Sequence, residues 1–196
     1  LAGLLAALPD FGIAAFFLYT WIAPTAIRER MVSSLVLVML VEFVIVHSSA
    51  FMGTVMVSDA PREKRALALL GLGGFYTIFV TGFAVAFHSM TPFWNFWGLT
   101  ANRLLGVLFG QAPTGAEKAF VMRGWAVSCF CYVMFAMITV LAPIPALGVT
   151  ADVIRLQGFD SSGAWVSEPQ RALAFGVLYF AAVGLSELFN HAWVPM

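Results

Sequence analysis

The chain has 196 residues, of which 61% are hydrophobic and only 10% are charged. Soluble domains are about half apolar and about a quarter charged, so this composition excludes an ordinary soluble protein and indicates lipid as the main solvent. Ten basic and ten acidic side chains cancel, and a net charge of zero gives no reason to expect a nucleic-acid partner.

Five stretches are long and apolar enough to cross a bilayer, which takes about 20 residues in a helix. Their starts carry recognisable signals. Asp10 is the expected N-cap of the first stretch, and Pro61 and Pro169 suit the first turns of the third and fifth. Thr114 and Glu117 have the spacing of a capping box before the fourth. We predict spans at about 10–27, 31–57, 61–88, 117–141 and 169–193.

The stretch 92–110 is amphipathic and of marginal apolar length. Asn102 and Arg103 fall on one side of a helix, and Phe93 and Trp97 fall on the other. Tryptophan and phenylalanine are typical of the level of the lipid headgroups. This pattern favours a helix lying in the membrane interface over a sixth span.

These elements predict an all-α fold: a polytopic membrane helical bundle of about five transmembrane helices plus one interfacial amphipathic helix. The bundle is expected to form a single integral membrane domain over 1–196, in a multi-pass protein. The positive-inside rule does not orient it, because the five-span arrangement puts equal numbers of basic residues on each face. Cys129 and Cys131 point to different sides of their helix, and we expect both to pack rather than bind metal.

Acidic and imidazole groups inside the apolar stretches are the main functional signal. Glu42 lies deep in the second stretch, where an ionised carboxylate costs about 3 kcal/mol or more. We therefore expect it to face protein or water. Ser49 shares its helical face, whereas His47 lies about 140° away around the helix.

The fifth stretch supplies a second acidic residue. Glu187 and His191 are four residues apart, which predicts that they lie one turn apart on the same helix face. Counting depth along five spans places Glu42 and His88 in the same half of the bundle. If 91–110 spans instead, His47 replaces His88 in this group. Hydroxyl groups line the third and fourth stretches at helical spacing: Thr77, Thr81, Ser128 and Tyr132.

Carboxylate oxygen and imidazole nitrogen are ligands for zinc, iron or manganese. The candidate metal ligands are Glu42, His88, Glu187 and His191, with His47 as the alternative. The usual motif of helical bundles is Glu-x-x-His, whereas here the spacing is one residue longer and occurs once. A membrane-embedded, metal-dependent enzyme is therefore one hypothesis, but no paired motif or nucleophile supports catalysis.

Ion or proton translocation is the function that these residues favour, because buried ionisable groups commonly mark ion pathways. The pathway would run within the bundle or through a homo-oligomer. The alternative is a non-catalytic accessory or scaffold subunit of a larger membrane complex, in which polar side chains join helices. The predicted pathway residues are Glu42, Ser49, Thr77, Thr81, Ser128 and Tyr132.

Overall fold

The computed structural model describes residues 2–111, 114–159 and 163–193. Within these residues the chain is helical, with eight helices and no strand. The predicted all-α helical bundle is confirmed. The helices are α1 (Ala2–Ile22), α2 (Met31–Val57), α3 (Arg62–Ala86), α4 (Thr91–Phe109), α5 (Gly115–Leu141), α6 (Ala151–Leu156), α7 (Ala164–Ser167) and α8 (Pro169–Leu188).

Five of these helices are long and apolar enough to cross a membrane: α1, α2, α3, α5 and α8. They correspond to the five predicted spans. Their length and composition fit a multi-pass membrane protein. The 19-residue helix α4 is not one of the five.

Several helices begin where the sequence signals place them. At the start of α5 the Glu117 backbone N–H donates to Thr114 Oγ1 at 3.3 Å, and the Thr114 N–H donates to the Glu117 carboxylate at 2.7 Å. This reciprocal pair is the predicted capping box. Pro61 directly precedes α3, and Pro169 is the first residue of α8.

Two helix ends differ from the prediction. α1 begins at Ala2 and contains Pro9, so the predicted N-cap role of Asp10 is wrong. Proline is tolerated inside membrane helices because neighbouring helices compensate for the lost hydrogen bond. α8 ends at Leu188 rather than near residue 193, because Asn190 and His191 adopt left-handed backbone conformations with φ of 51° and 54°.

The described residues form two compact units. The first comprises the described parts of 1–39 and 126–195, and the second comprises 40–125. Helices α2 and α5 each contribute to both. The single domain that the sequence predicts therefore stays a prediction, and each unit is described by itself.

In the first unit, α1 packs antiparallel against α8. Near one end, a Cβ atom on Gly3 would lie 2.7 Å from the Leu188 carbonyl oxygen; towards the other, one on Gly176 would lie 2.7 Å from Phe17 Cγ. These glycines allow the two helices to approach closely. The residues of α1 on this side recur every three or four positions: Gly3, Ala7, Asp10, Ala14 and Phe17.

The loops of the first unit are held by hydrogen bonds to backbone carbonyls. The Trp21 indole N–H donates to the Pro145 carbonyl at 3.0 Å. At the start of α8, Arg171 donates to the carbonyls of Thr139 and Val140 at 2.8 and 2.7 Å. These bonds satisfy carbonyl groups at the end of α5 that have no partner within the helix.

In the second unit, α4 packs antiparallel along α3. Arg62, at the start of α3, donates to the Gly110 carbonyl just after α4, at 3.1 Å. Further along, the Trp97 indole N–H donates to Thr77 Oγ1 at 3.1 Å. The core of this unit contains Val44, Met52, Leu69, Tyr76, Val80, Phe96 and Val107.

Helix α4 packs one side against the second unit. Phe93, Trp97 and Leu104, on its apolar stripe, pack against the core of the second unit. The amphipathic pattern is present in α4, and its apolar side chains pack against neighbouring helices. The interfacial position of this helix stays a prediction.

Candidate functional site

Two acidic side chains meet where α1 packs on α8. The carboxyl groups of Asp10 and Glu187 lie close enough to share a hydrogen bond. Asp10 lies inside the apolar segment Gly3–Ile22, about 10 Å along the helix from Gly3 at 1.5 Å per residue. Glu187 lies in the last turn of α8. Both side chains are in residues of intermediate exposure.

The hydrogen bond between these two groups requires a proton. An ionised carboxylate can only accept hydrogen bonds, so one of the two carboxyls must be protonated in order to donate. Two ionised carboxylates at this separation would repel each other strongly in apolar surroundings. The pair of Asp10 and Glu187 is therefore a candidate proton-binding group.

Close helix packing brings the pair together. A Cβ atom on Gly184 would lie 3.1 Å from Asp10 Cβ and 3.3 Å from the Phe11 ring. The missing side chain at this position lets α1 approach α8 just one turn from Glu187. The acidic pair is thus placed by the same contacts that pack the helices, and no loop is needed to position it.

A second polar cluster follows at the end of α8. The Trp193 indole N–H donates to Ser186 Oγ at 2.8 Å, and Ser186 Oγ lies 2.8 Å from His191 Nδ1. Since the serine oxygen accepts from Trp193, its own hydroxyl can donate to Nδ1. His191 is buried, and this burial lowers its pKa, which favours a neutral imidazole.

The predicted pairing of Glu187 with His191 on one helix face is wrong. The helix ends before His191, and the left-handed turn at Asn190 and His191 carries the imidazole back to Ser186. Glu187 is hydrogen-bonded to Asp10 instead.

The remaining candidate metal ligands lie in the second unit. Glu42 is half-buried on α2, and His88 is exposed in the turn after α3, where its φ is 50°. No group of three or more His, Cys, Asp or Glu residues in the described chain could hold a metal ion. The proposed zinc, iron or manganese site therefore stays a prediction.

The alternative ligand, His47, is also in the second unit. Its Nδ1 lies 2.7 Å from the hydroxyl oxygen of Tyr76 on α3. The imidazole lies on the exposed side of α2.

Three of the predicted pathway hydroxyls make hydrogen bonds, two between helices and one within a helix. Ser49 accepts a hydrogen bond of 2.6 Å from Arg103, and Thr77 donates to the Gly73 carbonyl at 2.8 Å. Tyr132 donates to the Met39 carbonyl at 2.7 Å. Thr81 is exposed and Ser128 is half-buried. Their predicted part in a pathway is not tested by these contacts.

Asp10 is the important residue that the sequence pattern did not identify. Reading Pro9 as a break turned Asp10 into a helix start, although the residues on both sides are apolar. An acidic residue flanked by apolar runs, with a second acid in another apolar helix, was the available signal.

Comparison with known proteins finds no matching family, no matching curated protein and no matching solved structure.

Proposed function

We propose that this protein is a multi-pass membrane protein that translocates protons, with the Asp10–Glu187 pair as its proton-binding site. The observation that carries the proposal is the hydrogen bond between two carboxyl groups inside apolar helices. Intramembrane acidic residues are rare and commonly mark proton relays. A pair that shares one proton can release and regain it without moving a helix.

The surroundings of the pair support this role. The side of α1 that packs on α8 otherwise carries small or apolar side chains. Among them are Ala7 and Ala14, which are buried. Helix α1, from Ala2 to Ile22, carries no basic residue that could neutralise a second negative charge. Loss of the shared proton is therefore unfavourable, and a deprotonated pair will readily take up another proton.

Proton flux into liposomes tests the proposal. The purified protein is reconstituted with a pH-sensitive dye inside, and a potassium gradient with valinomycin drives the flux. In Glu187→Gln the amide still donates to Asp10, so the packing is retained but no proton is shared. We expect this change to reduce the flux at least tenfold.

Asp152→Asn is the matched control, because Asp152 is exposed on α6 and pairs with Arg155. Its flux should equal that of the unchanged protein. Absence of flux in the unchanged protein, or equal flux in Glu187→Gln, would contradict proton translocation.

The accessory or scaffold role is the second candidate, and the close packing of α1 on α8 favours it. Gly3, Gly176 and Gly184 all lie where a side chain would strike the opposite helix. In that case the acidic pair only joins two helices. The expected result is then no flux in any variant, together with loss of detergent-stable assembly in Asp10→Leu.

The lipid bilayer is the proposed environment under both functions, since five helices have the length and composition of spans. Assembly as a homo-oligomer or within a larger membrane complex is part of the proposal as well. Cross-linking in native membranes, followed by mass measurement of the product, tests it.

A further inference from the structure

An exposed histidine lies near the middle of the apolar helix α2. His47 is ten residues before Val57, the last residue of α2, or about 15 Å along the helix. The hydrocarbon core of a bilayer is about 30 Å thick. The imidazole of His47 is therefore placed at hydrocarbon depth, on a side of the helix that the described chain does not cover.

Aromatic rings surround this imidazole. The ring of Phe43 is stacked with it at 5.8 Å between centroids, and the ring of Phe51 lies at 5.4 Å. Phe43, His47 and Phe51 follow each other at intervals of four residues, so they form one stripe along α2. Phe43 and Phe51 are both about half exposed.

Helix α3 completes the surface. Tyr76 is buried, its ring lies 5.8 Å from that of His47, and its hydroxyl oxygen lies 2.7 Å from Nδ1. Phe75 and Phe79 are exposed beside it, with ring centroids 5.6 Å apart. We call this surface the His47 patch; it comprises Phe43, His47, Phe51, Phe75, Tyr76 and Phe79.

One nitrogen of the imidazole is left for an external partner. Nδ1 of His47 is engaged by Tyr76, whereas Nε2 has no hydrogen-bond partner among the residues that the structure describes. Hydrocarbon chains offer neither donors nor acceptors, and an unsatisfied polar group in hydrocarbon costs several kcal/mol. The patch is therefore suited to a molecule that is soluble in the membrane and carries a polar atom.

A phenol O–H is a stronger hydrogen-bond donor than the N–H of a neutral imidazole, so we take Tyr76 as the donor to Nδ1. When the phenol donates to Nδ1, the proton of a neutral imidazole is on Nε2. Nε2–H is then a donor that points away from Tyr76. Its natural partner is an acceptor without a proton of its own, and a carbonyl oxygen is the commonest such group.

We propose that the His47 patch binds a membrane-soluble ring compound with carbonyl oxygens, of the quinone class. A flat ring can stack against the exposed phenylalanines while its carbonyl oxygen accepts from His47 Nε2. This site lies in the second unit and does not involve Asp10 or Glu187.

A second copy of the chain fits the patch less well. In a two-fold dimer each chain presents the same group. Two Nε2–H donors facing each other cannot form a hydrogen bond. An acyl chain provides no acceptor at all.

Binding of a short-chain benzoquinone with a decyl tail to the protein in lipid nanodiscs tests the proposal. The chain has three histidines, so nitrogen-15 labelling of histidine gives few signals, and Nε2 of His47 can be followed directly. We expect its resonance to shift saturably as the quinone is added. The signals of His88 and His191 should not move.

Two substitutions define the contacts. His47→Leu keeps the surface apolar and should weaken quinone binding about tenfold, measured by equilibrium dialysis, as the loss of a hydrogen bond and a ring contact predicts. Tyr76→Phe keeps the ring but removes the hydroxyl, so Nε2 is no longer held as the donor. We expect about threefold weaker binding, with a changed Nε2 resonance.

His88→Leu is the matched control and should bind as tightly as the unchanged protein, because His88 lies in a turn outside the patch. Absence of saturable binding, or equal affinity in His47→Leu, would overturn the proposal. Dimers cross-linked at the patch that persist with excess quinone would also overturn it. Glu187→Gln should leave quinone binding unchanged, because this test measures binding and not proton flux. The quinone proposal and the proton proposal can therefore fail independently.

Discussion

Two antiparallel helix pairs in this protein are packed alike but joined by different chemistry. In both pairs glycines allow close approach: Gly176 and Gly184 between α1 and α8, and Gly73 between α3 and α4. The polar contact between side chains along α3 and α4 is a neutral hydrogen bond from Trp97 to Thr77, and Arg62 adds a bond to the backbone at the end of α4. The polar contact between α1 and α8 is a pair of carboxyl groups.

This difference shows that packing does not require the acidic pair. A neutral hydrogen bond between membrane helices contributes about 0.6 to 2 kcal/mol, and α3 and α4 are joined in that way. Two carboxyl groups in the same setting are harder to bury and must hold a proton. The proposed proton translocation would account for an acidic pair at a helix contact where a neutral hydrogen bond is the less costly choice.

The largest expected effect comes from filling the close contact between α1 and α8. In Gly176→Ala the new Cβ would overlap the ring of Phe17, which is fully buried. Overpacking of this kind destabilises proteins by about 1–3 kcal/mol. Unfolding in detergent with increasing denaturant should show a loss in this range.

Two further glycines provide controls for that measurement. Gly73→Ala would place its Cβ 3.2 Å from Thr100 and 3.3 Å from Trp97, so a smaller loss is expected. Gly71 lies on the same helix as Gly73, and a Cβ atom there would meet nothing within 4 Å. Gly71→Ala should therefore be neutral or stabilising. An equal loss of stability in all three variants would show that the contacts of α1 with α8 and of α3 with α4 are not packed as described.

Replacing Glu187 separates the hydrogen bond from the packing. Glu187→Leu leaves Asp10 without its partner, and an unsatisfied polar group costs about 1–3 kcal/mol. We expect the lower part of that range because both residues are half-buried. Glu187→Gln should cost less, since its amide still donates to Asp10. If both substitutions destabilise the protein equally, the two side chains are not hydrogen-bonded.

A smaller effect is expected between α3 and α4. Thr77→Val is nearly the same size but cannot accept the hydrogen bond from Trp97. The expected loss of stability is about 1 kcal/mol, measured by thermal unfolding in nanodiscs. Proton flux should be unchanged. A defect in proton flux in this variant would place Thr77 in the pathway, as the sequence predicted. The contrast between the α1–α8 pair and the α3–α4 pair would then no longer hold.

The smallest effect should be a dependence of stability on pH. Burial lowers the pKa of His191 below its usual value, which is about 6.5, so the unfolded chain binds more protons than the folded one below that pH. The contribution of His191 to the free energy of unfolding is therefore fully present above about pH 6.5, and it is lost as the pH falls further.

Thermal unfolding near pH 7.5 and near pH 5.5 checks this prediction. The decrease in midpoint on acidification should be smaller in His191→Gln than in the unchanged protein. The exposed His88 provides the control substitution, His88→Gln, which should retain the full decrease. If His191→Gln retains it too, another group is responsible.

Much of the fold could be predicted from local sequence signals. Apolar length identified the five long helices. Thr114 and Glu117 begin α5, and Pro169 begins α8, as the sequence predicts. These signals act within a few residues and need no tertiary context. Proline at position 9 was misleading because its effect depends on whether neighbouring helices support the backbone.

The candidate site could be predicted only in part. Glu187 was identified, because an acidic residue in an apolar helix is conspicuous. Its partner was not, since the spacing of four residues pointed to His191, whereas the bond to Asp10 depends on how α1 packs on α8. The contact of Trp97 with Thr77 was missed for the same reason.

Infrared spectroscopy is the most direct test of the shared proton. A protonated carboxylic acid has its own C=O stretching band, which shifts when the proton is exchanged for deuterium. At neutral pH the unchanged protein should show this band, Asp10→Asn and Glu187→Gln should each remove it, and Glu42→Gln should keep it. Absence of the band in the unchanged protein, or its persistence in both substitutions at the pair, would contradict the account.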